Sequence, residues 1–150
     1  NLPEVDSLSD VNDHFFKGRY QDIRDYEKYL SRNGFVIFKF FLHISKDEQK
    51  KRFLRRINLP KKHWKFSSAD IRERQYWDKY QKAYEKAINA TATKKNPWYV
   101  VPADDKWYSR LIVSDILTKE IEKLPLAYPV LSPDEAARLD TAKEELLNEK

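Results

Sequence analysis

The spacing of apolar and polar positions predicts alternating helices and strands. From Asp10 the apolar residues recur three or four positions apart, as in an amphipathic helix, and Asn33-Gly34 supplies a signal to end it. Eight of the ten residues from Phe35 to Ile44 are apolar, which predicts a parallel strand covered on both faces. Trp98 to Val101 is a short β-rich run and predicts a second strand.

Capping residues predict the remaining helices. These run from Ser45 to about Ile57, from Ser68 to about Ala90, from Asp104-Asp105 to about Leu124, and from Ser132 towards the C-terminus. Ser45 and Glu48 have the spacing of a capping box, in which each side chain accepts from a free amide of the other residue. The order of strand, helices, strand and helix predicts an α/β fold.

A basic run follows the first predicted strand directly. Lys46 to Lys65 contains nine Lys or Arg and two acids, so it nets +7, whereas the whole chain of 150 residues nets +5. Such a local excess of positive charge is what a polyanion recognises. In open parallel sheets ligands bind beyond the carboxyl ends of the strands, and this run begins there.

Helical geometry separates the arginines of this run from its apolar residues. Three arginines are predicted to point away from the core together, opposite three apolar side chains: Arg52, Arg55 and Arg56 against Phe53, Leu54 and Ile57. With Lys61, Lys62 and Lys65 they have the chemistry to neutralise several phosphates. From charge alone, a solvated basic surface is an equally open interpretation.

Other candidate residues each allow two interpretations. Trp64 and Phe66 alternate with lysines, which fits base stacking, but anchoring of a mobile segment to the core is favoured. Asp70 and Arg74 form either a surface ion pair or part of a phosphate site. The segment Asp104-Asp105-Lys106 either caps a helix or contributes to a site at the strand end.

Composition excludes several classes of site. Cysteine is absent, the three histidines lack a spacing suited to a metal, and His43 is interpreted as a hydrogen-bonded core residue. Only two glycines occur, so a glycine-rich phosphate loop cannot be built from this chain. No long apolar stretch offers a signal peptide or a membrane span, and a cytoplasmic protein is expected.

Five stretches together resemble the C-terminal part of one family, the family-2 polyphosphate kinases. In chain order they are F-F-K-G-R-Y-Q-D-I-R-D-Y-E-K-Y-L, K-F-F-L-H-I-S-K-D-E-Q-K-K-R-F-L-R-R, K-H-W-K-F, D-I-R-E-R-Q-Y-W-D-K-Y and P-W-Y-V-V-P-A-D-D-K-W-Y. They cover nearly everything from about Phe15 to Pro129. The resemblance implies a three-layer P-loop kinase fold, similar to thymidylate kinase, with a parallel sheet and a helical lid at about residues 46–75.

The same resemblance implies an activity and its residues. The activity is transfer of a phosphoryl group between inorganic polyphosphate and a nucleoside mono- or diphosphate, with Mg²⁺. Arg52 and Arg56 would be catalytic. The phosphate-binding residues would be Arg55, Lys62, Lys65, Asp70, Arg74, Asp105 and Lys106. The family's P-loop and its Asp-Arg pair lie upstream of Asn1, so the Mg²⁺ ligands are expected there and none in this chain.

These expectations define a domain division and a set of partners. Residues 1–131 would be the C-terminal portion of the kinase domain and residues 132–150 a charged helix. The partners would be polyphosphate, a nucleotide, and either a second copy of the chain or a complementing N-terminal half, with no membrane. Two alternatives are a non-catalytic module that binds polyphosphate or nucleic acid and a degenerate fragment with a structural role only.

Overall fold

The structure is a computed structural model that describes Val5 and residues 7–149, without the side chain of Leu8. Its helices and strands follow the predicted order. They are α1 (Asp13–Arg32), β1 (Lys39–His43), α2 (Lys46–Ile57), α3 (Ser68–Glu73), α4 (Trp77–Thr91), β2 (Trp98–Pro102), α5 (Lys106–Ile121) and α6 (Pro133–Leu147). Short 3-10 helices occupy Leu8–Asp10, Pro60–Lys65 and Arg74–Tyr76.

Helix α1 begins and ends at local signals. The Asn12 side chain accepts from the amides of His14 and Phe15, which fixes the first turn three residues later than expected. At the other end Gly34 adopts a φ of 85°, and the Phe35 amide donates to the Leu30 carbonyl at 3.2 Å. A left-handed glycine closing such a bond is the Schellman ending, so the predicted stop is confirmed.

The two strands pair in parallel, with Phe41 opposite Val100. The parallel sheet of the predicted α/β fold is therefore confirmed. Strand β1 is shorter than predicted, because residues 35–38 and Ile44 lie outside it. The expectation that both faces of β1 are covered is wrong here, because its Leu42 is 54% exposed; on the paired strand β2, Val100 is 55% exposed. In the part of the chain that the structure describes, two strands alone make the sheet, so these side chains lack the cover that a wider layered fold provides.

A buried ion pair connects the sheet to two helices. Lys39 Nζ lies 2.8 Å from Glu27 Oε2 on α1 and donates to the Thr91 carbonyl on α4 at 2.9 Å. The same ammonium lies 5.3 Å from the centroid of the Trp98 ring on β2. Both charged side chains are only about one-tenth exposed, at 9% and 10%. Lys39 thus has three partners around one buried charge, as burial of an ammonium requires.

Helix α2 has the predicted ends, but the next predicted helix is broken. A continuous helix from Ser68 to Ala90 is wrong, because a 3-10 turn at Arg74–Tyr76 separates α3 from α4. Arg74, the first residue of that turn, donates to the Lys46 carbonyl at 3.0 Å and to Gln49 Oε1 at 2.7 Å. These long-range bonds hold the turn against the start of α2, and a local periodicity does not encode them.

The chain divides into two compact units, with the boundary between Leu117 and Thr118 inside α5. Helix α5 ends at Ile121, three residues before the predicted end. In the second unit, Ser132 and Glu135 form the complete capping box of α6, which confirms that helix start. Within residues 5 and 7–149, no helix has both the length and the apolar character needed to cross a membrane.

Candidate functional site

Hydrogen bonds join the two segments that follow the strands, just beyond the carboxyl ends of β1 and β2. The Ala103 amide donates to the His43 carbonyl at 2.8 Å, and the Ser45 amide donates to Asp104 Oδ1 at 2.7 Å. Arg52 Nη2 then donates to the carbonyls of Ala103, at 2.6 Å, and Asp104, at 3.2 Å. The first turn of α2 and the loop after β2 are therefore held together at the edge of the sheet where a ligand is expected.

Only half of the predicted capping box forms at Ser45. Its hydroxyl accepts from the Glu48 amide at 3.1 Å, as predicted. The Glu48 carboxylate instead accepts from Arg52 Nε at 2.8 Å, because Asp104 already takes the Ser45 amide. That amide is the main reason why the pKa of the Asp104 carboxyl lies below its usual range, and the Ser45 hydroxyl adds to the effect.

The predicted faces of α2 are wrong. Arg52 and Arg56 are half-buried, whereas Leu54 and Ile57 are exposed, and Arg55 is the one exposed side chain among the three arginines. An arginine can bury its aliphatic stem when carbonyl or carboxylate oxygens accept from its guanidinium group. Apart from Glu48, one turn from Arg52, those oxygens belong here to residues outside α2. The three arginines therefore do not point outward together.

Arg56 has weaker partners than Arg52. Its Nη1 lies 3.6 Å from Asp70 Oδ2 and 3.3 Å from the Lys65 carbonyl, and its guanidinium lies over the Phe53 ring. Asp70 is thus paired with Arg56 and not with Arg74. Of the two interpretations of Asp70 and Arg74, the surface ion pair is therefore wrong. A separation of 3.6 Å to a half-exposed carboxylate leaves the Arg56 guanidinium able to exchange partners.

The charge of Lys62 is affected by cationic side chains from three segments of the chain. Its pKa lies below the usual range, first because of repulsion from Arg55 and then because of partial burial and repulsion from Lys106, Lys61 and Lys65. Arg55 on α2 and Lys106 at the start of α5 thus both act on the charge of Lys62 in the 3-10 segment. We call Arg55, Lys62 and Lys106 the cationic cluster, although 51 positions separate the first from the last.

The aromatic residues of the basic segment are not anchors in this structure. Trp64 is 78% exposed, and Lys65 Nζ lies 4.6 Å from the centroid of its ring. Phe66 is exposed as well. The interpretation that these rings anchor the segment to the core is wrong for the described structure. The segment is positioned instead by polar contacts such as that between His63 Nε2 and the Ile57 carbonyl, at 2.7 Å.

The carboxylates at the strand end are engaged by amides. Asp105 Oδ1 accepts from the amides of Trp107, at 2.7 Å, and Tyr108, at 2.9 Å, which confirms helix capping for this residue. Asp104 holds the Ser45 amide. Over the described residues, no three His, Cys, Asp or Glu side chains group as metal ligands. Asp104 and Asp105 therefore act as hydrogen-bond acceptors of backbone amides in this structure.

His43 is exposed, so its interpretation as a core histidine is wrong. It lies at the rim of a cavity of about 450 Å³ beside the end of β1. Sequence reasoning missed this cavity. Its only signal in the sequence is the helical spacing of three aromatic residues, Trp77, Tyr80 and Tyr84. That spacing by itself predicts that they pack against the core.

Residues 5–126 match the family described as Polyphosphate kinase 2 (PPK2). The chain belongs to the polyphosphate kinase 2 family. It is 51% identical over 133 residues to an ADP-polyphosphate phosphotransferase of Rhodopseudomonas palustris, covering 89% of this chain and 46% of that protein. A crystal structure of polyphosphate kinase 2 from Arthrobacter aurescens TC1 superposes with a TM-score of 0.79 at 43% identity, covering 88% of this chain and 47% of that one.

A third relative differs in extent. It is an uncharacterized protein in the chlN 3′ region of Leptolyngbya boryana, 50% identical over 131 residues, and the match covers 87% of this chain and 96% of that protein. The chain thus spans about half the length of the Rhodopseudomonas and Arthrobacter proteins and almost the whole of the Leptolyngbya one. The predicted fold class is confirmed, since the α/β arrangement with a parallel sheet superposes on a polyphosphate kinase 2 structure.

Proposed function

We propose that this chain supplies the lid and C-terminal part of a phosphotransferase that moves a phosphoryl group between inorganic polyphosphate and a nucleoside mono- or diphosphate. The observation that carries the proposal is the cationic cluster, which lies beyond the carboxyl ends of two parallel strands in a member of this family. Repeating phosphates are the polyanion that such a cluster matches. The names of the relatives support the same substrates.

The side chains have distinct proposed roles. Arg55, Lys62 and Lys106 hold the phosphate chain, because a guanidinium fork grips two oxygens and lysines follow as point charges. Arg56 exchanges Asp70 for a phosphate when the lid closes, which places a cation where charge spreads during transfer. Lys65 extends the phosphate contact along the lid.

Three other candidates position the site. Arg52, whose Nε and Nη2 are already bonded, braces the lid against the loop after β2 and reaches the reacting phosphate only through its remaining Nη1. Arg74 positions the lid by donating to a carbonyl at the start of α2, and Asp105 caps the start of α5. Mg²⁺ would neutralise the oxygens of the transferred phosphate. Its ligands are proposed to come from chain outside this sequence, as is the phosphate-cradling loop.

Phosphoryl transfer from polyphosphate to AMP, ADP, GMP and GDP tests the proposal. The chain is assayed with Mg²⁺ alone and after fusion to, or mixing with, an upstream P-loop half of a family member. We expect activity in the combined protein and loss of most of it in Arg56→Gln. A combined protein that folds but transfers no phosphate to any acceptor would refute the proposal.

One observation favours a second candidate, a non-catalytic module that binds polyphosphate or nucleic acid. The Trp64 ring is open to solvent beside Lys65, which suits stacking of an unpaired base. Competition between tripolyphosphate and a short single-stranded RNA of equal charge separates the two candidates. A preference for RNA that is lost in Trp64→Ala would favour the module.

A further inference from the structure

The cavity beside β1 has the size and walls of a small-molecule site. Its volume of about 450 Å³ falls among ordinary ligand pockets, which span roughly 300–1,000 Å³. It opens beside Leu42, His43 and Ile44, at the carboxyl end of the strand. Five aromatic residues line it: Phe41, Phe53, Trp77, Tyr80 and Tyr84.

Two of these rings form one continuous wall. Tyr80 and Tyr84 lie one turn apart on α4, with centroids 6.2 Å apart and ring planes within 29° of parallel. Phe41 of β1 supports Tyr84 from the sheet, with centroids 4.9 Å apart. Both tyrosines remain partly exposed. A partly exposed aromatic face that is fixed by contact with a neighbouring ring is the surface on which a planar base stacks.

The polar groups of the cavity suit the edge of a base. Arg74 donates to Gln49 Oε1 at 2.7 Å, which orients the Gln49 amide so that its NH₂ group is left to donate. Tyr80 donates to Glu73 Oε2 at 2.6 Å, and within the described residues no donor takes the other Glu73 oxygen. An amide donor and a carboxylate acceptor together complement the mixed donors and acceptors of a nucleobase.

The charge of the cavity argues against phosphate as its occupant. Asp70 and Glu73 outnumber Arg74 among its charged residues, so a phosphate chain is repelled there. Asp70 nevertheless lies 3.6 Å from Arg56, so the cavity adjoins the lid arginine proposed to contact phosphate. A nucleotide whose base occupies the cavity thus directs its phosphates towards Arg56.

We propose that this cavity binds the nucleobase of the nucleotide substrate, stacked on Tyr80 and Tyr84, an inference that rests on the proposed function. Base recognition and phosphate recognition are then separate: aromatic and amide groups below the lid hold the base, and the cationic cluster holds the polyphosphate.

Calorimetric titration of the full chain with three ligands tests this assignment. AMP carries a base, ribose 5-phosphate carries the same sugar phosphate without one, and tripolyphosphate reports on the proposed phosphate-binding cations in the absence of a base. We expect AMP to bind roughly tenfold or more tightly than ribose 5-phosphate, as base stacking provides. Tyr84→Ala should remove that difference and leave tripolyphosphate binding unchanged.

Two further variants distinguish loss of the base site from general misfolding. Tyr80→Ala removes the other ring of the wall and should reduce the AMP preference in the same way. Tyr26→Ala, on the exposed face of α1 and outside the cavity, is the matched control and should bind all three ligands as the wild type does. Circular dichroism confirms the fold of each variant.

The outcomes separate this inference from the proposed function. Equal binding of AMP and ribose 5-phosphate, with tripolyphosphate still bound, overturns the base site and leaves the phosphotransferase proposal in place. Base-dependent binding of AMP without tripolyphosphate binding supports the base site and overturns the polyphosphate assignment. An AMP preference that survives in both folded tyrosine variants also overturns the base site.

Discussion

The structural roles of single residues in this chain depend on contact partners that are distant in the sequence. Lys39 is the clearest case, because a lysine within an apolar strand has no local explanation. Its ammonium joins Glu27, the Thr91 carbonyl and the Trp98 ring, and so connects α1, α4 and both strands. Removing one member of a buried pair leaves the other charge without compensation, whereas removing both does not.

We therefore expect Lys39→Met to lower the free energy of unfolding by about 3 kcal/mol. The double variant Glu27→Leu with Lys39→Met should lose clearly less, because no charge is then left unpaired. Urea denaturation measures both. A double variant less stable than Lys39→Met would show that the stability lost in Lys39→Met comes from losing the ion pair itself and not from leaving the Glu27 carboxylate unpaired.

Asp104 predicts a pH dependence of stability. The Ser45 amide lowers its pKa in the folded state below that of a free aspartate, about 3.9. A depressed carboxyl pKa contributes stability that is present above the unfolded pKa and is lost as pH falls through the folded one. We expect the difference in melting temperature between wild type and Asp104→Asn to be full near pH 6 and to shrink below about pH 4. An undiminished difference at low pH would contradict this.

At the scale of elements, three segments of the chain contribute to the cationic cluster. Helix α2 carries Arg55, the 3-10 segment Pro60–Lys65 carries Lys62, and α5 begins with Lys106, so the cationic cluster exists only when three segments meet. Arg55 and Lys106 both repel the charge of Lys62. An anionic ligand would relieve this repulsion, which supports the proposed phosphate-binding role.

Lys62→Gln should therefore weaken tripolyphosphate binding without lowering the melting temperature. Losing one phosphate contact should also reduce the slope of log affinity against log salt by about one. Lys28→Gln, on the exposed surface of α1, is the matched control and should leave affinity and slope unchanged. The role of Lys62 is refuted if both lysine variants reduce affinity and slope equally.

At the scale of the whole molecule, the apolar surface exceeds what the described fold covers. Exposed apolar side chains lie on the two strands, before them and on α5: Phe35, Leu42, Val100, Trp107 and Leu111. Paired strands or a covering layer normally bury such residues. A homo-oligomer or a complementing N-terminal half stays our prediction for what covers them, as does the division of the chain after residue 131.

The purified chain should bind the dye ANS and elute above its monomer mass, 18.0 kDa. Co-expression with an upstream half of a family member should reduce ANS fluorescence, because the sheet gains neighbours. Size-exclusion chromatography with light scattering gives the mass. A compact monomer that binds no ANS would contradict this prediction.

The sequence by itself determined the features that short-range physics controls. Helix starts at Ser45 and Ser132, the stop at Gly34 and the two strands follow from capping, glycine conformation and residue spacing, all of which act within a few positions. The basic run and the family resemblance likewise reside in contiguous residues, so the fold class and the phosphate-binding candidates were accessible from the sequence.

Only the tertiary structure decided which groups meet. Asp104 takes the Ser45 amide, carbonyls after β2 bind Arg52, and Asp70 pairs with Arg56 rather than Arg74. Each contact joins segments that helical or strand periodicity treats as independent, so the orientation of the α2 arginines and the break before α4 could not be predicted. The cavity exists for the same reason: its aromatic wall and its polar edge come from different elements and become one surface only when the chain folds.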